Sequence, residues 1–283
     1  MTLVSVVVPC FNAGHFLVEA VESALAQQGA DVEVIVVDDG SNDPATLEAL
    51  AKVAAMDRVR CFFQANGGPA AARNRGIREA SGEFILPLDA DDRFDHRYAA
   101  MALDAFRSDP GLGIVYCRAL KFGEEQGEWV LPDYGPEEMA VDNVIFCSAM
   151  FRRSDWVAVG GYNEALRRGM EDYDFWLRLL RLGRRVHQLP EPLFHYRILP
   201  ASRTTRFMAD DRAVVDTYAR IFRDNLEWFA RHAEAVYRFR FRQSRELEHF
   251  RHRYGRIDAV LGKLRWLWPA GRAVNRFLTW WFR

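Results

Sequence analysis

Short apolar segments alternate with amphipathic segments along the first hundred residues. Two runs rich in β-branched residues, Leu3 to Pro9 and Val32 to Val37, predict strands, and the amphipathic stretch Phe16 to Gln27 between them predicts a helix. The alternation continues with helical patterns at Ala45 to Ala55 and Ala70 to Ala80 and with apolar runs at Val59 to Phe63 and Glu83 to Leu88. We therefore expect an α/β fold with a mostly parallel, doubly wound sheet and flanking helices.

The pattern changes after residue 98. It predicts a helix at Tyr98 to Ser108, strands at Gly113 to Tyr116 and Val144 to Phe151, and helices at Arg153 to Gly160 and Tyr173 to Leu182. From residue 207 onward the pattern is helical and rich in aromatic residues and arginine. We accordingly divide the chain into residues 1–98, 99–206 and a helical C-terminal extension, 207–283.

Polar clusters follow the predicted strands of the first part. They are Cys10 to Gly14, Asp38 to Ser41, Asn66 to Pro69 and Asp89 to Asp92. Ligands of doubly wound sheets bind outside the carboxyl ends of the strands, so these four segments are expected to meet at one edge. Each cluster alone is also typical of an ordinary turn or helix cap.

Two of these clusters suit a nucleotide and a metal. Strand alternation directs Asp89 and Asp91 to the same side, where two carboxylates favour a hard divalent cation that also binds diphosphate oxygens. The glycine turn at Asn66 to Pro69 leads into a helix that carries Arg73, and free N–H groups with a cation suit a diphosphate.

Composition narrows the class of protein. Nearly half of the 283 residues are hydrophobic (49%), which is enough for a large core. The four cysteines show no CxxC spacing, so we expect a reduced, cytoplasmic chain without a zinc site or a disulfide framework. Neither a signal peptide nor a stretch of the ~20 apolar residues of a membrane span is indicated.

Five motifs together resemble a known family. In chain order they are SVVVPCFNAG from Ser5, VVDDGS from Val36, NGGPAAARN from Asn66, LDADD from Leu88 and EDYDFWLR from Glu171. Over about residues 3–205 the chain resembles the family 2 inverting glycosyltransferases of the GT-A fold, of the bacterial surface-polysaccharide type. The resemblance implies a nucleoside-diphosphate-sugar donor, most often a UDP-sugar, an Asp-x-Asp site for Mn²⁺ or Mg²⁺, and inversion at the anomeric carbon.

The resemblance also assigns roles to residues of this sequence. Residues 1–98 would bind the nucleotide sugar, and residues 99–206 would bind the acceptor and carry the catalytic group. Asp91 would bind the metal, Asp89 the ribose and Asp39 the base. The remaining donor-binding residues would be Pro9, Phe11, Asn12, Asn66, Gly68 and Arg73.

The last motif would supply the chemistry. Asp172 corresponds to the catalytic base that takes the proton of the acceptor hydroxyl. Glu171 and Trp176 are candidates for acceptor binding. Acidic residues at a helix N-terminus also simply complement the helix dipole, and Phe175 and Leu177 indicate that much of this helix is core.

The sequence departs from the family after Tyr196. Relatives often have a histidine two residues after Tyr-Arg, where this chain has Leu199. His195 is the candidate substitute metal ligand, although a single histidine in an apolar strand is more often part of the core. Arg197, and Arg203 or Arg206 in the following loop, are candidates for neutralising the diphosphate.

The end of the chain has a different character. Residues 231–283 contain 13 basic and 4 acidic residues, whereas the rest of the chain has 25 basic and 35 acidic residues. Four tryptophans and two phenylalanines lie among arginines from Leu264 to Arg283, a composition typical of an interfacial segment on an anionic membrane. A helix that docks on protein, including a homodimer, explains the same residues, and the acidic catalytic part disfavours nucleic acid as a partner.

The sequence thus predicts a cytoplasmic, metal-dependent enzyme, peripheral at the inner face of the cell membrane. It would move a hexosyl or N-acetylhexosaminyl group to a hydroxyl of a glycan or lipid-linked glycan acceptor during cell-surface polysaccharide synthesis. The alternatives are a non-catalytic, glycan-binding relative and a sugar nucleotidyltransferase. Val8 to Asn12 lacks the glycine-rich basic loop typical of the latter.

Overall fold

The computed structural model describes residues 2–264, with side chains through Tyr254. Nine strands in this range form one sheet, in the order β3-β2-β1-β4-β8-β6-β9-β5 with β7 paired to β6. The strands are β1 Leu3–Cys10, β2 Asp31–Asp38, β3 Val59–Phe63, β4 Phe84–Pro87, β5 Arg93–Phe94, β6 Leu112–Gly123, β7 Gly127–Trp129, β8 Met150–Arg152 and β9 Arg185–Ile198.

Helices connect and follow these strands. They are α1 Gly14–Leu25, α2 Pro44–Ala54, α3 Pro69–Glu79, α4 Tyr98–Ser108, α5 Pro136–Val141, α6 Arg153–Val159, α7 Glu171–Leu180, α8 Arg203–Met208, α9 Asp211–Asp224, α10 Leu226–Arg231 and α11 Ala233–Leu264. No helix within residues 2–264 combines the length and apolarity that a membrane crossing needs.

The first four strands are parallel, and α1, α2 and α3 connect them. Val4 through Val8 are all buried, so β1 is covered on both faces, as the continuous apolar run predicts. Each predicted element of this part is confirmed to within two residues at either end. Local periodicity is a reliable guide here because β1, β2 and β3 are each followed, after a short turn, by a helix.

The second part of the sheet is mixed. β9 is parallel to β6, but β8 is antiparallel to both β4 and β6, β7 is antiparallel to β6, and β5 is antiparallel to β9. The α/β fold class with flanking helices is confirmed, whereas four of the eight pairings among the described residues are antiparallel. The insertion of β8 between β4 and β6 is what ends the parallel order.

One predicted strand is mostly wrong. Of Val144 to Phe151, only the last two residues belong to β8, and Val144 and Ile145 are buried without pairing in the sheet. An apolar run reports burial, and burial alone does not distinguish a strand from a packed irregular segment. This segment matters because it carries side chains into the site described below.

The described residues form two compact units, which divide between His232 and Ala233. The predicted parts 1–98 and 99–206 share one sheet within the first unit. Phe207, Ile221 and Trp228 are buried, so α8, α9 and α10 belong to the first unit and the division falls later than predicted.

Candidate active site

The turns after β1 and β2 are joined through Asn12. Asn12 has φ +49°, its backbone N–H donates to Ser41 Oγ (2.9 Å), and its side-chain oxygen accepts from Asn42 N (3.0 Å). The side chain that was predicted to contact a base therefore holds two turns together. The neighbouring Phe11 is 50% exposed and its ring is available for stacking, while Pro9 is half-buried in β1.

Asp39 organises the glycine turn. Its carboxylate is 3% exposed and accepts from Gln64 Nε2, Gly67 N and Gly68 N, each at 2.8 Å. The sequence predicted that the N–H of Gly68 donates a hydrogen bond to a diphosphate. Both glycine N–H groups instead donate to Asp39 within the protein. Gly68 has φ +89°, a conformation that favours glycine, so the turn needs this residue for its backbone.

Arg167 supports the same turn from the other side. Its guanidinium donates to the carbonyl oxygens of Gly67 (3.0 Å) and Asn66 (3.1 Å), while the Asn66 side chain is exposed. The sequence offered no signal for Arg167, because this contact joins residues about a hundred positions apart.

Arg73 lies at the centre of a buried ionic network. It is 1% exposed and donates through Nη1 to Glu171 Oε1 (2.8 Å) and through Nη2 to Asp89 Oδ1. Arg203 donates to both oxygens of Glu171 (2.8 and 3.2 Å). The thiol of Cys147 lies 3.5 Å from the second oxygen of Asp89.

This network corrects two predictions. The guanidinium group of Arg73 is buried and bonded, so it is not free to approach a base or diphosphate. Glu171 is 1% exposed, and neither of its carboxylate oxygens is free to bind an acceptor. Burial would raise the pKa of Glu171, but Arg203 and Arg73 outweigh it and lower that pKa. Glu171 therefore stays ionised and serves to position Arg73 and Arg203.

Asp172 is the next residue of α7 and is only half-buried. Its Oδ1 accepts from Tyr173 N (2.9 Å), and its Oδ2 accepts from Asn143 Nδ2 (3.0 Å). Burial and the charge of Glu171 raise the pKa of Asp172 to about 6. A carboxylate with this pKa is ionised at neutral pH and is a stronger proton acceptor than an ordinary aspartate.

The aspartates after β4 have separate environments. Burial and the charge of Asp89 raise the pKa of Asp91 to about 6. Asp92 is 1% exposed and accepts from the backbone N–H of Arg197 (2.8 Å), so it anchors β9. Residues 89–92 form a turn in which the Asp92 N–H donates to the Asp89 carbonyl oxygen (3.0 Å), so the predicted strand alternation does not apply there. The charges of Asp89 and Asp91 act on Asp92 as well as on each other.

His195 does not join this group as a third metal ligand. It pairs with Arg93 across β5 and β9, lies edge-on to Phe122, and has a pKa lowered by burial and by the charge of Arg93. No set of three or more His, Cys, Asp or Glu side chains in the described range is arranged to hold a metal ion. The carboxylate of Asp91, half-buried beside another carboxylate, still fits a divalent cation that takes its other ligands from a diphosphate.

Arg197 is also committed elsewhere. Its Nε donates to the carbonyl oxygen of Asp91 (2.7 Å), its Nη2 donates to Glu19, and its guanidinium lies over the rings of Phe16 and Phe122. These contacts do not support the prediction that Arg197 neutralises a diphosphate. On α8, Arg203 bonds to Glu171 but keeps 40% of its side chain exposed, and Arg206 is exposed.

The aromatic surface of the site is not Trp176. That ring is fully buried against Phe151 and Phe175, and its N–H donates to Ile145 O (3.1 Å). Instead, the half-buried rings of Trp129 and Tyr196 pack with centroids 4.5 Å apart. Tyr196 precedes Arg197 on β9, and the backbone N–H of Arg197 donates to Asp92, so this aromatic pair lies beside the aspartates that follow β4.

The arrangement places one half-buried carboxylate, that of Asp172, beside a rigid ionic network. Asp172 is exposed enough to meet a ligand, whereas the neighbouring carboxylates and arginines neutralise one another. Such a site suits removal of a proton from a hydroxyl group. Sequence reasoning missed Asn143, Cys147 and Arg167 as members or supports of this site.

Comparison with known proteins identifies the first part of the chain. The model of the family described as glycosyl transferase family 2 matches residues 5–159, more than half of the 283 residues. Chondroitin synthase of Escherichia coli is 32% identical over 185 residues, which are 64% of this chain and 27% of that protein. Hyaluronan synthase of Pasteurella multocida is 31% identical over 192 residues, 65% of this chain and 19% of that protein.

Solved structures with the same fold include two bound to nucleotides. S. aureus TarS 1–349 in complex with UDP has a TM-score of 0.58 at 21% identity, covering 82% of this chain and 72% of that one. A mannosyltransferase from Pyrobaculum calidifontis in complex with GDP-Man and Mn²⁺ has a TM-score of 0.64 at 21% identity, covering 83% and 69%. The chain spans about a quarter or less of the length of the two synthases named above.

Proposed function

Since the chain belongs to glycosyl transferase family 2, we propose that it is an inverting glycosyltransferase that uses a nucleoside-diphosphate sugar. The acceptor would be a hydroxyl group of a glycan or lipid-linked glycan in cell-surface polysaccharide synthesis. The similarity to two polysaccharide synthases supports this class of product. The environment of Asp172 is the observation that carries the proposal.

The proposed reaction is a single displacement. The carboxylate of Asp172 accepts the proton of the acceptor hydroxyl as its oxygen forms a bond to the anomeric carbon. The bond from that carbon to the diphosphate oxygen breaks on the opposite face, and its electron pair leaves with the diphosphate. Inversion follows, because bond formation and bond cleavage occur on opposite faces of the sugar.

The remaining residues of the site would bind and orient the donor. We propose that Phe11 stacks on the base and that Asp39 acts mainly through the turn at Gly67 and Gly68. The UDP complex of TarS supports UDP as the nucleotide. The exposed Arg206 would replace Arg197 in neutralising the diphosphate, because Arg203 already donates to both oxygens of Glu171.

The aromatic pair Trp129 and Tyr196 is the surface that we propose for a sugar ring. Sugars present apolar C–H faces that pack on aromatic rings, and hydroxyls that need polar neighbours. The rings of Trp129 and Tyr196 offer the apolar surface, and the carboxylates of the site offer the polar neighbours. This proposal replaces the one made for Trp176.

We propose Asp91 as the protein ligand of a Mn²⁺ or Mg²⁺ ion, which when bound would balance the charge of the leaving diphosphate. Chelation with EDTA is therefore expected to abolish transfer, and added Mn²⁺ to restore it. Asp91→Asn should raise the Mn²⁺ concentration that gives half-maximal transfer, whereas Asp104→Asn, an exposed aspartate of α4, should not. Full activity after exhaustive chelation would contradict the metal proposal.

The substitution Asp172→Asn tests the proposed base. It keeps the size of the side chain and an oxygen that can accept from Asn143, but it removes the proton acceptor. We expect transfer to fall about 10²- to 10⁴-fold while the affinity for the nucleotide sugar, measured by calorimetry, stays unchanged. Asp104→Asn again provides the matched control. Equal losses of transfer and donor binding would show that the base is misassigned.

We also propose that the enzyme acts in the cytoplasm at the inner face of the cell membrane. The basic, tryptophan-rich segment from Leu264 to Arg283 supports this proposal by its composition. Apart from Leu264, that segment lies outside the described residues. The prediction that tests it belongs to the scale of the whole molecule and is given in the Discussion.

A further inference from the structure

The helix α11 carries a regular stripe of residues over its second part. Steps of four and three residues alternate along Gln243, Leu247, Phe250, Tyr254, Ile257, Leu261 and Leu264. The mean spacing is 3.5 residues, and all but the first of these seven residues are apolar or aromatic. A spacing of 3.5 is typical of helices that wind around one another in a left-handed coiled coil.

Stripe residues with described side chains are exposed. Leu247 is 49%, Phe250 59% and Tyr254 39% exposed. Large apolar side chains aligned on one side of a helix favour a partner that covers them. The stripe from Gln243 to Leu264 is about 32 Å long, enough for three heptads.

The charges beside the stripe indicate what that partner is. Glu246 precedes Leu247, and Arg251 follows Phe250; one heptad later Arg253 precedes Tyr254, and Asp258 follows Ile257. In two parallel helices of identical sequence, the first member of each pair faces the second member, five residues further along, on the other chain. Both pairs then join opposite charges.

These pairs cannot form within one helix. Side chains three or four residues apart are neighbours on a helix, whereas residues five apart point about 140° away from each other. An anionic membrane would favour uniformly basic flanks, but Glu246 and Asp258 are acidic. The alternation of sign thus favours a second copy of this chain over a lipid surface.

We propose that residues 243–264 of α11 pack against the same residues of a second copy as a parallel coiled coil. Gln243, the polar member of the stripe, would lie opposite its own copy and help to fix the register, as a single polar core residue does in other coiled coils. A parallel arrangement directs both C-terminal segments the same way. Two such segments would bind a surface more tightly than one, because the second attachment is intramolecular.

A charge swap in the full chain tests the pairing. Glu246→Arg places like charges opposite each other and is expected to raise the dissociation constant of self-association about tenfold in sedimentation equilibrium. Combining it with Arg251→Glu restores opposite charges and should return the constant to the wild-type value. Glu248→Arg makes the same charge change two positions away, on the outer side of the helix, and should have little effect.

Two results would overturn the proposal. A wild-type chain that is monomeric at all concentrations would exclude self-association, and a double variant no tighter than Glu246→Arg would exclude the pairing. Helix content by circular dichroism and transfer activity should stay unchanged in all three variants. A variant that loses both helix content and transfer activity is misfolded. Sedimentation equilibrium is then repeated with Glu246→Gln, which is expected to weaken association less than Glu246→Arg.

The parallel orientation of the two copies of α11 has a separate test. In a parallel, in-register pair the two copies of position 243 are adjacent, so Gln243→Cys should form a disulfide-linked dimer under mild oxidation. His252→Cys, on the outer side of the helix, should not exceed the background given by the wild-type cysteines. An associated chain in which Gln243→Cys fails to cross-link would exclude the parallel arrangement.

Discussion

Arg73 lies between two carboxylates from distant parts of the chain, Asp89 after β4 and Glu171 at the start of α7. Burying a guanidinium group is costly, and it is tolerated here because both partners are charged and the second, Glu171, is shared with Arg203. Removing one partner of such a network typically costs about 3–5 kcal/mol, since a buried charge is left behind. The same network lowers the pKa of Glu171 and leaves Asp172 as the carboxylate that can accept a proton.

The raised pKa of Asp172 predicts the pH dependence of transfer. Asp172 works in its ionised form, so kcat/KM should rise with pH through about 6 and level off above that pH. The amide of Asn143 donates to the charged form, so Asn143→Ala should raise the pKa further and move the rising limb to higher pH. Profiles of kcat/KM against pH for the wild-type and Asn143→Ala proteins measure this shift.

Gln126→Ala, which removes an exposed amide before β7, is the control for that profile. Asp91 also has a pKa of about 6, but it has no contact with Asn143. An unchanged limb in Asn143→Ala would therefore assign the titration to another group.

At the scale of elements, α3 determines where Arg73 and Asn74 lie. Asn74 bonds to both the N–H and the carbonyl oxygen of Tyr162, and Arg73 reaches Glu171, so one turn of α3 holds the loop and helix of the second part. The helix lies very close to the sheet at Gly76. A Cβ atom there would come within 2.4 Å of Val7 Cγ1 and 3.3 Å of Val37 Cγ2.

Gly76→Ala is expected to destabilise the protein despite the better helix propensity of alanine. The propensity gain is about 1 kcal/mol, whereas overpacking of a core costs about 1–3 kcal/mol and would push α3 away from β1. Denaturant unfolding should show a net loss of stability, together with reduced transfer as Arg73 moves. Arg78→Ala, at an exposed position of the same helix, should change stability by less than about 0.5 kcal/mol. A stabilised Gly76→Ala protein would contradict this account.

At the scale of the whole molecule, the two ends of the chain carry opposite net charges. The basic excess lies in residues 231–283 and the acidic excess in the rest, which contains the proposed site. Attraction of the basic end to an anionic surface would therefore hold the acidic catalytic unit near, but not on, that surface. A coiled coil of α11 would join two such units.

Sedimentation with vesicles tests the membrane proposal. The full chain is expected to bind vesicles containing anionic lipid, and a chain ending at Leu264 should bind much less, because it lacks the tryptophans and arginines of the terminal segment but keeps α11. Binding should weaken at high salt and with neutral lipid. Equal partitioning of the two chains would show that the terminal segment does not attach the protein to membranes.

The sequence by itself determined the elements of the first part, the positions of the carboxylate clusters and the candidate base. Periodicity and turn residues act over a few positions, so β1 through α3 follow from local pattern alone. Asp172 was found because its motif is contiguous, and its half-buried position beside Asn143 agrees with the proposed role.

Only the tertiary structure decided which polar side chains are already used. Arg73, Glu171, Gly68 and Arg197 have site-like positions in the sequence, but each bonds to a partner distant in the chain, and Trp176 is enclosed in the core. Such pairs depend on how strands and helices pack across separations of 29 to 178 residues, which no local pattern encodes. The mixed order of the sheet has the same cause, because the place of β8 between β4 and β6 is fixed by packing rather than by the residues of β8.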